Sequence, residues 1–512
     1  MAAPSPPTWR SRASWLVIAS CAALVLGSLL RAAGTFEPSA PASTAVEPPV
    51  PEPVATVEKS ARGCDHCMRG RCHGRHQCGR FFSEPTGWQR PYCMCACCSI
   101  QCGKRHRCHG VPPHAQGFPV NVTTLAGGGT DGPGDAVDDG DAQSARFGAI
   151  AAIALTPDQR ELLVADESNG ALRVVSPLTG GSAGASSSAH RGRLLTSAGL
   201  PGVSTLFTEG GFRPRGIGIR ASTSPTALVA DTAANVLRIV DLDGATSTAR
   251  VVGSGEWDQV DGDAADAAFA SPNGVAVSSD GAFAVVADTE NNAIRLVELP
   301  SGRVRTLAGE FTDVPVDGPV NGVGRAARFG QPMGVALSAD DRTVYVADTN
   351  NHVIRAVDVA TGATTTLSGS GARGSVDSSP PAAHRETVGD FHAPRSLCLE
   401  PGGGGLLVAD TSNHRIRRVD LEQCHLSEER CAVHTLAGQG TPGFRDDIAL
   451  AAQFLRPAAI AASYVGGRDD DEPRVQVFVG DEGNARVRQI VYDMKRVAQC
   501  VIEPTARECG KV

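Results

Sequence analysis

Six times in this chain a short apolar run ends in Asp and the same small turn follows, with Arg seven residues beyond the Asp. The copies read VADESNGALR (Asp166, Arg173), VADTAANVLR (Asp231, Arg238), VADTENNAIR (Asp288, Arg295), VADTNNHVIR (Asp348, Arg355), VADTSNHRIR (Asp410, Arg417) and VGDEGNARVR (Asp481, Arg488). Successive Asp residues lie 65, 57, 60, 62 and 71 positions apart. Self-similarity at a near-fixed period marks a repeat architecture, in which no unit can cover its own apolar surface and each must pack on its neighbours.

The unit is clearest in residues 269–309. Apolar alternation in GVAVS marks a first strand, AVVAD a second, AIRLVEL a third and VRTLAG a fourth, joined by the turn-forming SDG and PSG. No run has the length and 3.6-residue spacing of a substantial helix. An Asn stands three residues after the Asp in five copies (Asn169, Asn291, Asn351, Asn413, Asn484), with Ala234 the exception. Asn tolerates the left-handed conformation, so it suits a tight turn between strands two and three. The Asp is expected to accept backbone N–H groups within that turn. The recurring Arg is expected to face out of the third strand as a tie between blades.

Fourth-strand sequences appear at VTTLAG (122–127), LLTSAG (194–199), RVVGSG (250–255), VRTLAG (304–309), TTTLSG (364–369) and VHTLAG (433–438). The first precedes any first strand, and the last unit lacks a fourth strand of its own. Val122–Gly127 therefore completes the final blade and clasps the two ends, which removes the exposed sheet edge of an open array. RVAQCVI (496–502) is the alternative source of that strand.

The pattern F-x-x-P-x-G-V-A, then V-A-D-T-x-N-H-x-I-R, then T-L-A-G resembles the NHL repeat family. Residues 329–369 and 391–438 match best, with Asn351-His352 and Asn413-His414 at the Asn-His position. The resemblance implies an all-β, six-bladed propeller over residues 118–494. Phe147–Ala149 (without Pro), the loop Leu206–Gly211 and Gly480 (in place of Ala) depart from the pattern. Fold is implied strongly and function weakly, because sites are grafted onto folds.

Ahead of the repeats, residues 1–12 carry Arg10 and Arg12, and an uncharged stretch, 13–30, runs to Arg31. Its length suits a signal anchor, or a cleaved signal peptide, with the following chain outside the cytosol. Residues 31–60 form a Pro/Ala-rich linker. Ten of the sixteen cysteines crowd into the basic module 61–112. That density means disulfides or, alternatively, zinc drawing on Cys64, Cys67, Cys72 and Cys78 with neighbouring histidines. The spacing does not match a RING. Cys424–Cys431 and Cys500–Cys509, the latter in the tail 495–512, each flank a turn and read as local disulfides, whereas Cys398 reads as a buried free thiol. Asn121-Val122-Thr123 is a glycosylation sequon, usable in the secretory route.

Residues 61–110 carry a net charge of +7 and residues 111–512 a net charge of −15. The basic module can hold anionic glycan or lipid headgroups, or dock on its own acidic propeller; outside the cytosol nucleic acid is not an expected partner. Asp-Gly-rich loops lead into several blades. Asp138, Asp139, Asp261, Asp263 and Asp317, with Asp131, Asp135 and Asp141, are candidate calcium ligands, although Asp-Gly pairs also simply make turns. No nucleophile elbow, P-loop, dinucleotide fingerprint or HExxH is present. The expected function is non-catalytic binding of a protein or glycan on the extracytosolic side of a membrane, anchored through the N-terminal helix. No cofactor is expected beyond a structural calcium or zinc ion. Two alternatives remain. One is a metal-dependent lyase similar to peptidyl-α-hydroxyglycine α-amidating lyase, which needs imidazoles converging on the central channel. The other is a cytosolic zinc-bearing scaffold.

Overall fold

The computed structural model describes residues 120–128, 138–176, 201–242, 250–310, 318–378, 388–424, 430–465 and 474–493. The stretch 13–30, the linker, the Cys-rich module and the tail after 493 lie outside them. Among the described residues no helix is long and apolar enough to cross a membrane.

The repeats fold as six antiparallel sheets. The third blade sets the pattern: Pro272–Val277, Phe283–Asp288, Ala293–Glu298 and Val304–Gly309 pair in sequence order. First strands touch one another in a closed ring: Ile150–Leu155, Pro214–Arg220, Pro272–Val277, Pro332–Leu337, Ser396–Leu399 and Pro457–Val465, back to the first. The ring is a six-bladed propeller with its first strands around a central channel. Close approach at the axis explains the glycine after the Pro-x of this strand. A Cβ on Gly274 would lie 2.4 Å from the Met333 carbonyl oxygen, and one on Gly216 would lie 1.9 Å from that of Asn273.

Each of the six junctions between neighbouring blades has its own apolar core. The phenylalanines that open each repeat, Phe147, Phe212, Phe269, Phe329, Phe391 and Phe454, are all buried in these seams. Short extra strands, such as Gly322–Val323 and Asp447–Ile448, add the lead-in loop to the outer edge of its blade.

Closure follows the expected clasp. Asn121–Ala126 pairs antiparallel with Arg486–Asp493, Asn121 facing Val491 and Thr124 facing Arg488. One strand differs from expectation. The fourth strand of blade 1 is Gly202–Thr208, not 194–199, and the segment expected as a loop from Leu206 is part of it. Thr205 explains the register: its N–H and hydroxyl both bond Asp139 of the lead-in loop, at 2.8 and 3.0 Å. This is the role filled by Thr306, Thr366, Thr435 and Thr124 in blades 3 to 6.

Val122 is buried between the clasp and the core of blade 6. Val122→Asp is expected to cost about 3 kcal/mol or more by burying an unpaired carboxylate. Urea denaturation reads the loss, and size-exclusion chromatography should show association through the freed edge of Arg486–Asp493.

Candidate functional site

The repeat residues build one polar cluster per blade. In blade 3, Asp288 Oδ1 accepts the N–H of Ala270 at 2.7 Å, and its Oδ2 accepts from Asn291 Nδ2 at 2.8 Å and Arg295 Nη1 at 2.6 Å. Arg295 also donates to the carbonyls of Ala268 and Val260 and to Asp261. Asp261 in turn accepts the Thr306 hydroxyl at 2.9 Å. Asp166, Asp348, Asp410 and Asp481 repeat this arrangement, each holding the N–H that follows the buried Phe. Blade 2 differs because Ala234 replaces the Asn; Arg238 there bonds Asp231 and Glu209.

Three expectations are corrected. The Arg does not face outward: Arg173, Arg295, Arg355, Arg417 and Arg488 are fully buried, each beside the Phe of its own lead-in. They tie the lead-in loop to the blade it enters rather than blade to blade. The N–H held by the Asp belongs to that loop; only in blade 2 does the Asp also accept a backbone N–H of its own turn, that of Ala234 at 3.4 Å. The residue in the left-handed conformation is the one four after the Asp: Gly170, Asn235, Asn292, His352, His414 and Ala485.

Blade-to-blade bonds come from two other positions. The Thr after the Asp donates to the Pro carbonyl of the next blade: Thr232 to Pro272, Thr289 to Pro332, Thr349 to Pro394 and Thr411 to Pro457, at 2.6–2.8 Å. The left-handed residue accepts a backbone N–H from the next blade. Asn235 takes that of Ser271, Asn292 that of Gln331, His352 Nδ1 that of Ala393 and His414 Nδ1 that of Arg456.

Burial pushes the Asp288 and Asp481 carboxyls up to about 6, while their Arg and Asn partners pull the other way. Asp166, Asp348 and Asp410 are raised by burial too. Asp261 is also desolvated, yet Thr306 and Arg295 hold it below the usual carboxylate range. His352 is lowered by burial, His392 and Arg373, and His414 by burial, Arg456 and His392.

Of the candidate calcium ligands, Asp139 and Asp261 have their carboxylates occupied by Arg173 with Thr205 and by Arg295 with Thr306. Asp138 pairs with Arg146 at 3.5 Å. Asp263 accepts two N–H groups of its own loop through its carbonyl. Asp141 does the same for Ser144 and Ala145. Asp131, Asp135 and Asp317 lie outside the described residues, as do Cys64, Cys67, Cys72, Cys78, Cys500 and Cys509. Among the described residues no three His, Cys, Asp or Glu side chains stand together as a metal set. Cys424 and Cys431 form a disulfide with Cα atoms 4.9 Å apart. Asn121 is exposed at the start of the clasp strand. Cys398 is a free thiol on the channel wall, its pKa pushed up by burial and Glu400.

The channel has a volume of about 410 Å³. Its turn-side mouth carries charges that the sequence reading passed over. Glu167 and Glu482 replace the seam Thr in blades 1 and 6 and are largely buried. Glu167 meets Arg215 at 2.9 Å and Arg213 at 3.1 Å. Glu482 meets Arg395 at 3.0 Å and Arg456 at 3.3 Å. The Thr-to-Glu departures in V-A-D-T were the available signal. No described histidine lines the channel.

A family model for the NHL repeat matches residues 329–356, the first two strands, turn and third-strand start of blade 4. Residues 329–356 are therefore an NHL repeat. The chain is 35% identical over 209 residues to NHL repeat-containing protein 2 of Bos taurus, covering 38% of this chain and 28% of that protein. The human protein of the same name is 39% identical over 162 residues, covering 30% and 22%. The chain thus spans about a quarter of the length of these relatives. Among solved structures, an auxiliary nutrient binding protein from Bacteroides thetaiotaomicron superposes with a TM-score of 0.50 at 16% identity, covering 73% of this chain and 77% of that one. That likeness concerns the fold alone.

Two outcomes are expected. Asp288→Asn turns an amide N–H toward Arg295 and Asn291 and strands a buried guanidinium, so it should cost about 3–5 kcal/mol in urea denaturation. The double variant His352→Asn/His414→Asn keeps both seam acceptors, as Asn235 and Asn292 show. The two imidazoles have depressed folded pKa values, so their stabilisation is complete above the unfolded value of about 6.5 and is lost as pH falls through the folded values. The variant should be less sensitive than the parent to acidification below pH 6.5, read as Tm against pH.

Proposed function

We propose that this NHL propeller is a non-catalytic binding platform on the extracytosolic side of a membrane, and that a protein or glycan ligand engages its turn-side face. One observation carries the reading. Trp257, Val320, Val323, Val376, Phe444 and Ile448 are exposed, and all lie in the lead-in loops of four consecutive blades, 3 to 6. These loops reach the Asp turns, since Asn291, Asn413 and Asn484 bond the carbonyls of Asp258, Gly374 and Gly443. Trp257 and Phe444 adjoin those turns, and Val323 and Ile448 continue the apolar surface down the outer blade edge toward the opposite face. Exposed apolar side chains on loops of a rigid scaffold suit a partner surface. The buried Asp–Arg clusters and seam bonds supply the rigidity. The Cys424–Cys431 disulfide supports an oxidising compartment, as do the uncharged stretch 13–30 and the cysteine density of 64–108.

The test uses the full chain on intact cells. An endoglycosidase-sensitive mobility shift, lost in Asn121→Gln, is expected together with digestion by external protease. A protected, unglycosylated chain would overturn the compartment. A photo-crosslinking side chain at position 257 or 444, beside the Asp turns, should yield a discrete adduct that the same group at 342, on the opposite face, does not. Equal labelling from both faces, or recovery of a chemically altered ligand, would overturn the platform reading.

A further inference from the structure

The mouth of the channel breaks the repeat twice, and the two breaks meet. In blades 2 to 5 the residue after the Asp is Thr, and its hydroxyl closes the seam to the next blade. At the junctions leaving blades 6 and 1 it is Glu482 and Glu167, and an ionised carboxylate cannot donate that bond. The residue after the Pro of the first strand is Asn273, Met333 or Ala458 in blades 3, 4 and 6, but Arg215 in blade 2 and Arg395 in blade 5. Two seam bonds are thus given up so that buried charges can stand at the axis. Burying them costs desolvation that a Thr and a small residue would not incur. Departures from the local rule without a scaffold gain tend to mark functional sites.

The charges do not balance. Arg213, Arg215, Arg395 and Arg456 surround Glu167 and Glu482, four guanidiniums to two carboxylates, in a chain of net charge −8. Donors are left over as well. Arg215 Nε is buried without a partner, although its side chain lines the channel. Arg395 spends only Nη1 on Glu482. The orphan Nε atoms of Arg173, Arg295 and Arg417 are a different case, since those side chains are sealed inside their blades. Asn273, which also lines the channel, spends its amide N–H groups on Ser271 and Thr289. A guanidinium fork with unspent N–H groups matches a carboxylate. The channel volume lies in the range of small-ligand sites.

We propose that the turn-side mouth of the channel binds a carboxylate-bearing ligand, a free organic acid or the uronic-acid unit of a glycan, through Arg215 and Arg395. Glu167 and Glu482 are positioning residues that hold the two guanidiniums. Blades 2 and 5 stand opposite each other in a ring of six, so a ligand with two carboxylates engages both forks and one with a single carboxylate engages one.

Thermal denaturation of the full chain tests this with sodium succinate, sodium acetate and sodium glucuronate against sodium chloride at matched ionic strength. Saturating succinate should raise Tm by about 2–5 °C, acetate less, and chloride not at all. Removing an Arg alone strands a buried Glu, so the decisive variant restores residues that other blades use. It combines Glu167→Thr, Arg215→Asn, Glu482→Thr and Arg395→Ala. Its ligand-free Tm should match or exceed the parent's, and its response to succinate should vanish. Arg215→Lys with Arg395→Lys keeps both ion pairs but loses the forks, and should weaken succinate about tenfold. Arg342→Gln, at an exposed turn on the opposite face, should bind as the parent does. A larger response to a uronic-acid oligosaccharide than to glucuronate assigns the glycan, and an equal response assigns the free acid. No response of the parent to any carboxylate, or a response retained by the fourfold variant, overturns the proposal.

Discussion

A carboxylate and a guanidinium removed from water in every blade organise this propeller. Each is expensive to bury alone, and their mutual attraction offsets the cost only when the remaining lone pairs and N–H groups are also met. In blade 3 the Asp288 carboxylate takes three donors, while Arg295 reaches two loop carbonyls and Asp261. The pair therefore fixes the path of the loop that leads into its blade. That path delivers the buried Phe to the seam and leaves the loop's apolar residues facing solvent.

Between blades the recurring seam bonds are neutral and short-ranged, and ionic pairs such as Glu167–Arg215 and Glu482–Arg395 stand at the channel mouth. A Thr hydroxyl and a left-handed Asn or His each reach one backbone group of the neighbour, over a core contributed by both sheets. The Asn and His occupants are equivalent because each offers one acceptor in the same place; only the His makes that acceptor conditional on pH. At the axis Gly216, Gly274 and Gly334 let the first strands of blades 2 to 5 approach closely.

The fold was legible because the Asp-to-Arg spacing is locked by the pair's geometry, and the clasp because strand accounting left one sheet short. Blade 1 was misread where LLTSAG imitates T-L-A-G, since what identifies the true strand is a hydroxyl, Thr205, in contact with Asp139. The orientation of the Arg was not legible either. Its partners Asp261, Asn321, Asp377 and Asp446 lie 34 to 42 positions upstream, in loops of unequal length. Asp139 and Asp261 show why an acidic loop is ambiguous in a sequence: carboxylates count equally whether they await a metal or hold an arginine. The mouth charges were visible as Thr-to-Glu changes, but only the ring places Glu482 beside Arg395 and Glu167 beside Arg215.

Closure by the first strand has a consequence for how the protein is made. Asn121 pairs with Val491, roughly 370 residues later, and a ribosome adding about 5–20 residues per second needs some 20–70 s to supply that partner. Throughout that interval the emerging chain carries a strand with no mate, and five finished wedges wait beside an open gap. Birth of the final hairpin, rather than any step at the beginning, decides whether the circle shuts on itself or on a neighbouring nascent chain.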